Sequence, residues 1–189
     1  WAATSLGDGG ELDHVDVAYA FDGARFATGM TRSIVSALGG PALAWRRGRW
    51  VDVPATARGR TIDFGELGSR RARALATTEA VTVPRRWPVR AVDTWVAPTG
   101  APWLDRAIGV ASPLLRWLPG ARATLEALAD VGRAPDDDAA GARFAVVATA
   151  RRGESVATVA IGGTDVYATT AAIVSRLGHA LATGALDGH

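Results

Sequence analysis

Thr28-Gly-Met-Thr-Arg-Ser33 places three hydroxyls and a guanidinium within six residues, after an alternating stretch and at the start of a helical one. Such donors at the positive end of a helix suit a carboxylate or a phosphate. Capping is the commoner use of these residues: Thr28 or Thr31 can accept from first-turn amides, while Gly29 permits the turn and Arg32 is solvated. Gly162-Gly-Thr-Asp-Val-Tyr167 also lies where a strand pattern gives way to a helical one. Its glycines allow close backbone approach, and Asp165 and Tyr167 can reach a ligand; alternatively, Asp165 caps the helix and Tyr167 covers the core edge. Polar groups converging from two such junctions at one end of a sheet form a ligand crevice. The candidate substrate contacts are therefore Thr28, Thr31, Arg32, Ser33, Asp165 and Tyr167.

The elements that must position these groups follow from apolar periodicity. Val15, Val17, Tyr19 and Phe21 point one way and His14, Asp16, Ala18 and Ala20 the other, the period of a half-buried strand. Ile34, Val35 and Leu38 then form a helical stripe that Gly39-Gly40 ends. Residues 43–46 and 49–53 flank Arg47-Gly48 as a tight hairpin, and 60–64 and 89–97 read as further strands. Residues 68–80 fit either strand or helix, and Pro84 and Pro88 bracket a turn. Residues 103–118 and 121–131 read as helices, 133–141 as a solvated loop, and 144–149 with 156–161 as a hairpin around Arg151-Arg-Gly153. A last helix from Tyr167 turns Ile173, Val174, Leu177 and Leu181 inward and stops at Gly184. The fold class expected is α+β: a mixed, largely antiparallel sheet covered by helices on one face.

Composition removes several classes of function. The chain has 189 residues, 48% of them hydrophobic, with mean hydropathy +0.10, which suits one domain with a full core. All 21 basic residues are Arg, yet the net charge is only +2, too little to hold the chain on nucleic acid or an anionic membrane. Zero Cys excludes thiolate catalysis and Cys-bound zinc, and three scattered histidines suggest neither a metal site nor a Ser/His/Asp triad. His14 and His179 each read as an isolated, solvated or capping residue, and Asp136 to Asp138 as loop. Between Arg46 and Arg90, eleven arginines and four acidic residues leave a local excess of +7. That face can meet a phosphate, a coenzyme A tail or an acidic partner, or simply be solvated; Trp45, Trp50 and Trp87 accompany it without a nucleic-acid-binding motif. The apolar run from Trp103 to Leu118 can line a tunnel or touch a membrane interface, but core or dimer face is the commoner use. No signal sequence or spanning segment is apparent, which points to a cytoplasmic protein. Trp1 as first residue and Met30 as sole methionine suggest a piece of a longer chain.

Six stretches in order resemble the C-terminal part of saccharopine dehydrogenase-like NAD(P)-dependent oxidoreductases, a group that includes trans-acting enoyl reductases. They are Asp13-His-Val-Asp-Val-Ala-Tyr19, Thr28-Gly-Met-Thr-Arg-Ser33, Trp45-Arg-Arg-Gly-Arg-Trp-Val-Asp-Val-Pro54, Ile62-Asp-Phe-Gly65, Thr78-Glu-Ala-Val-Thr-Val-Pro84 and Asp165-Val-Tyr-Ala-Thr-Thr-Ala171. The resemblance implies a parent whose N-terminal Rossmann domain binds NAD or NADP and is absent from this chain. Residues 1–189 would then be a single substrate-binding and dimerisation domain, similar to the C-terminal domain of glyceraldehyde-3-phosphate dehydrogenases. Alone it would bind no cofactor and be inactive; its substrate would be amino-acid-like, or a lipid or polyketide. No catalytic acid or base carries over by this resemblance. Where relatives often have Pro after the Asp and Gly after the Tyr of the last stretch, this chain has Val166 and Ala168. A non-catalytic protein-binding or assembly module on the same fold is the other reading.

Overall fold

The alternating segment at His14 becomes the strand around which a sheet is built in the computed structural model, which describes residues 2–6, 10–23, 42–53, 59–97 and 142–184. In chain order the elements are α1 (Ala2–Ser5), β1 (His14–Asp22), β2 (Ala42–Arg46), β3 (Arg49–Val53) and β4 (Gly59–Asp63). A 3-10 turn (Gly65–Leu67), β5 (Ser69–Ala74), α2 (Glu79–Arg86), β6 (Ala91–Ala97), β7 (Arg143–Arg152), β8 (Ser155–Thr164) and α3 (Val166–Ala182) follow. Candidate residues Thr28, Thr31, Arg32 and Ser33, and the segments 103–118, 121–131 and 136–138, lie outside the described residues.

Six strands run in the order β3-β2-β6-β1-β7-β8, and β5 joins β6 and carries β4, giving eight strands in one open sheet. Among the described residues, β1 and β6 pair parallel and every other pair of named strands is antiparallel. One edge of β6 is shared: β2 pairs with Val92 and Ala91 at its start, β5 with Trp95 and Val96 at its end. The α+β expectation of a mixed, mostly antiparallel sheet therefore holds.

Register divides the side chains into two faces, since opposite residues share a side and neighbours alternate. The first carries His14, Asp16, Ala18 and Ala20 of β1 with Asp93, Trp95 and Ala97 of β6. The second carries Val15, Val17 and Tyr19, over which Ala2, Ala3 and Leu6 from the α1 segment and Val83 and Trp87 from the α2 segment pack. The first face has its own core, in which Ala18, Ala20, Trp95, Ala97 and Val147 meet Phe64 and Leu67. Expected to be half-buried, β1 is instead buried on both faces, because it is central and both sides are covered.

The hairpin at Arg47-Gly48 is present, with both turn residues at positive φ, 46° and 85°, as a two-residue turn with matching twist requires. Trp45 and Trp50 face each other across it edge to face, 5.0 Å between centroids. The ambiguous stretch after Gly68 resolves into β5 followed by an irregular link, and the expected turn at Pro84 is a helix with Pro84 inside it. Proline lacks the N–H that would donate to the carbonyl of Ala80, four residues back. Trp50 Nε1 donates to that carbonyl at 3.1 Å, so the hairpin supplies what the helix lacks. Also corrected is the inward face of the last helix: no α3 residue is buried, and Ile173, Val174, Leu177 and Leu181 are 49–68% exposed. A period of 3.6 marks an apolar stripe but does not say what covers it.

Trp50→Phe should cost about 1 kcal/mol in urea unfolding, the scale of one lost hydrogen bond. In a Pro84→Ala background, where the restored backbone amide at position 84 can itself donate to the Ala80 carbonyl, the cost should shrink; equal costs in both backgrounds would contradict the compensation.

Candidate functional site

Two polar centres lie at opposite ends of the strands on the first face. At the start of β1 and β6, Asp16 and Asp93 stand directly opposite in register and are only 6% and 8% exposed. Like charges so placed repel, and burial makes each costly unless every oxygen is answered. Trp95 Nε1 donates to Asp16 Oδ1 at 2.8 Å, and Arg60 Nη1 to Asp16 Oδ2 at 2.9 Å. Arg46 Nη2 donates to Asp93 Oδ1 at 2.5 Å. His14 Nε2 lies 2.9 Å from Asp93 Oδ2 and 3.6 Å from Asp16 Oδ1, bridging the two carboxylates. Arg60 also lies over the Trp95 ring, 5.5 Å from its centroid. Burial pushes the Asp93 carboxyl up, but the hydrogen bonds and charges of His14 and Arg46 outweigh it and hold the group below its ordinary value.

This overturns the expectation of an isolated His14. Asp93 is 79 residues away, so no local motif reveals the pair. The available signal was a lone carboxylate inside each of two apolar alternations, Val15-Asp-Val17 and Ala91-Val-Asp93. His14, Asp16 and Asp93 bring their ligand atoms within 4.8 Å of one another. The set fits a cation poorly, because Arg46 and Arg60 each hold a carboxylate oxygen and would stand beside the ion. What the arrangement does is lock β1, β2, β4 and β6 in register.

On the opposite face Tyr19 Oη donates to Glu79 Oε1 at 2.5 Å, and Thr77 Oγ1 donates to the other oxygen. Burial first, then the Glu79 hydrogen bond and charge, raise the Tyr19 hydroxyl far above the ordinary phenol range, so it stays a protonated donor. It ties β1 to the first turn of α2.

The second centre is at the far end of β1. Asp22 pairs with Arg143, and Arg143 with Thr164, so one row joins the ends of β1 and β8. Arg70 gathers this end, donating to the carbonyls of Leu67 at 2.9 Å and Phe21 at 3.0 Å and lying 3.4 Å from Asp22 Oδ1. Arg143 Nη2 donates to the Glu66 carbonyl at 3.1 Å. Beside the row opens a cavity of about 380 Å³, lined by Phe64, Leu67, Arg143, Ala160, Gly162 and Thr164 among others.

Asp165 follows Thr164 directly. It adopts the left-handed conformation, φ 55°, and its Oδ1 accepts from the Ala168 amide at 2.9 Å, so one oxygen caps α3. Tyr167, in the first turn of α3, is 39% exposed. The β1 end from which the chain runs on toward Thr28 thus shares an edge of the sheet with the β8–α3 junction. The cavity-lining residues Phe64, Leu67 and Arg143 were missed because they come from two segments far apart in sequence, the 3-10 turn and the start of β7. No family model matches the chain, and no curated protein matches it.

Asp93→Asn tests the first centre. The folded carboxyl lies below its unfolded value, so its stabilisation is complete above the unfolded value and is lost as pH falls through the folded one. The wild-type urea midpoint should fall on acidification below about pH 4. The variant should lose this component of the slope and be about 2 kcal/mol less stable at neutral pH, because a neutral amide replaces the carboxylate that Arg46 and His14 meet; an unchanged slope would contradict the ion-pair reading.

Proposed function

We propose that this chain is the substrate-binding and dimerisation domain of a saccharopine dehydrogenase-like NAD(P)-dependent oxidoreductase, inactive in isolation and cytoplasmic. The supporting observation is the shared edge: the end of β1, the β8–α3 junction and the cavity lie together, where polar groups from separate chain segments can serve one ligand. A mixed sheet with helices packed on it also agrees with the resemblance to glyceraldehyde-3-phosphate dehydrogenase-like C-terminal domains.

In this reading the substrate sits in the cavity, with Asp165 and Tyr167 on one side and Thr28, Thr31, Arg32 and Ser33 as the contacts brought by the chain beyond β1. Aliphatic and aromatic walls from Phe64, Leu67 and Ala160, beside the Arg143 guanidinium, suit a small molecule with an apolar body and an anionic group. An amino-acid-like substrate places its carboxylate at Arg32; a lipid or polyketide places its chain along the apolar wall. NAD or NADP supplies the hydride in the parent. The described glycines do not fit a dinucleotide cradle: Gly162 and Gly163 lie within β8, and a Cβ at Gly163 would stand 3.0 Å from the Phe144 ring, so close ring packing explains that glycine. The cofactor is therefore assigned to another domain of the parent, and this chain binds and orients the substrate. The second reading, a non-catalytic protein-binding or assembly module, draws support from the exposed apolar stripe of α3.

In the full-length parent, Arg32→Ala and the cavity-filling Ala160→Trp should each raise KM about tenfold with the melting temperature nearly unchanged. An unmoved KM in both would remove the cavity from the substrate path. The chain alone should show no heat of binding with NAD or NADP; clear micromolar binding would refute the two-domain reading.

A further inference from the structure

Among the described residues β8 pairs with β7 alone, and its Val156 and Ile161 are each more than half exposed. The turn before it decides which backbone groups are left over. A two-residue hairpin closes on a hydrogen-bonded pair, here Arg152 and Ser155, and such pairs alternate with open ones along an antiparallel ladder. Asp165 continues the alternation, its amide donating to the Ala142 carbonyl at 2.8 Å. The odd-numbered residues of β8 therefore bond to β7, whereas Val156, Thr158, Ala160 and Gly162 turn their N–H and C=O groups to the open side. From Ser155 to Thr164 the strand carries no charge and no proline, the residues that ordinarily keep such a row from pairing.

The same residues adjoin the cavity. Opposite residues share a side, so Ala160, Gly162 and Thr164 lie on the first face with Ala145 and Arg143 of β7. Residues Ala160 to Thr164 line the cavity against Phe64 and Leu67. A Cβ at Gly162 would meet only the Phe144 carbonyl, at 3.4 Å, so internal packing does not require glycine there. Close approach of another backbone is the other use of glycine within a strand. Beside Thr164, Arg143 donates to the Glu66 carbonyl at 3.1 Å, and the neighbouring Asp22 carboxylate is met by Arg70.

We propose that β8 receives an extended segment of a partner protein as a further antiparallel strand, with a large apolar side chain in the cavity and a carboxylate on Arg143. The partner residue opposite Gly162 places its side chain on the first face, over the cavity. Two residues earlier in the antiparallel partner lies the position opposite Thr164, on the same face and beside Arg143. The segment therefore reads acidic, any residue, large apolar. Main-chain hydrogen bonds supply its affinity, and the cavity and the guanidinium its specificity. The inference goes beyond the substrate reading but shares its cavity, so a bound segment and a substrate exclude one another.

A blocked peptide of alternating valine and threonine, with glutamate two positions before a central phenylalanine, is the probe. Titrated into the chain, it should bind saturably and shift the amides of Thr158 to Thr164. Exchanging its glutamate for lysine, or methylating its amides that face β8, should each weaken binding at least about tenfold. Ala160→Pro removes an outward N–H while sparing the β7 ladder, as edge-strand prolines do, and should weaken binding at least about tenfold. Arg143→Glu, at an exposed position, should reverse the preference toward the lysine peptide. Should Ala160→Pro lose its native circular dichroism, Arg143→Glu and the methylated peptide decide. Absence of saturable binding, as when a second copy of the chain already occupies β8, or equal affinity for the acidic and basic peptides overturns the proposal. The test uses no substrate, so its failure leaves the KM predictions standing.

Discussion

Two aspartates facing each other across the parallel pair β1 and β6 constrain the rest of the first face. Asp16 and Asp93 are in register and nearly inaccessible, so the sheet is stable only if donors from other strands reach every oxygen. Arg46 comes from β2, Arg60 from β4, Trp95 from β6 and His14 from β1 itself, and each is productive in one register only. Shifting any of these strands by one residue would turn its side chain to the opposite face and leave a carboxylate unpaired. The cluster thereby also stabilises the forked arrangement in which β2 and β5 share one edge of β6.

Along the strands the first face changes character in steps. The charged rows at the start of β1 and β6 give way to a floor of small residues, Ala18, Ala20, Ala97 and Ala145, under Phe64 and Leu67. Beyond it lie the row Asp22, Arg143 and Thr164 and the cavity. The polar atoms of the first centre are spent on one another. At the second, Arg70 meets Asp22 as well as two carbonyls, whereas Arg143 is held by the Glu66 carbonyl, which fixes its guanidinium without neutralising it. Rigid lining and uncancelled positive charge are what a binding site needs, and these belong to the far end.

How much of this was readable beforehand depends on range. Local signals were reliable: alternation gave β1, Arg47-Gly48 gave the hairpin, and Asp165 before an apolar stripe gave the start of α3. Elements whose form rests on distant partners were not. Pro84 is tolerated inside α2 because a tryptophan 34 residues earlier donates to the Ala80 carbonyl, and nothing local to Pro84 announces that. His14 read as isolated because its partner is 79 residues on. The two junction segments were each ambiguous between cap and ligand contact, and Asp165 does serve as a cap. The shared edge that relates the ends of β1 and β8 is a property of register, which spacing alone does not encode.

In the proposed reading, the ligand end of the sheet is the end at Thr164, and the charged cluster at His14 is structural. Amide and imidazole chemical shifts, followed while amino-acid-like and acyl-chain ligands are titrated, test it most directly. Movement at Phe64 to Leu67, Arg143 and Gly162 to Thr164, with the His14 ring and Asp93 unmoved, is the expected result. Saturable shifts that begin at His14 and Asp93 and leave Gly162 to Thr164 unchanged would contradict it.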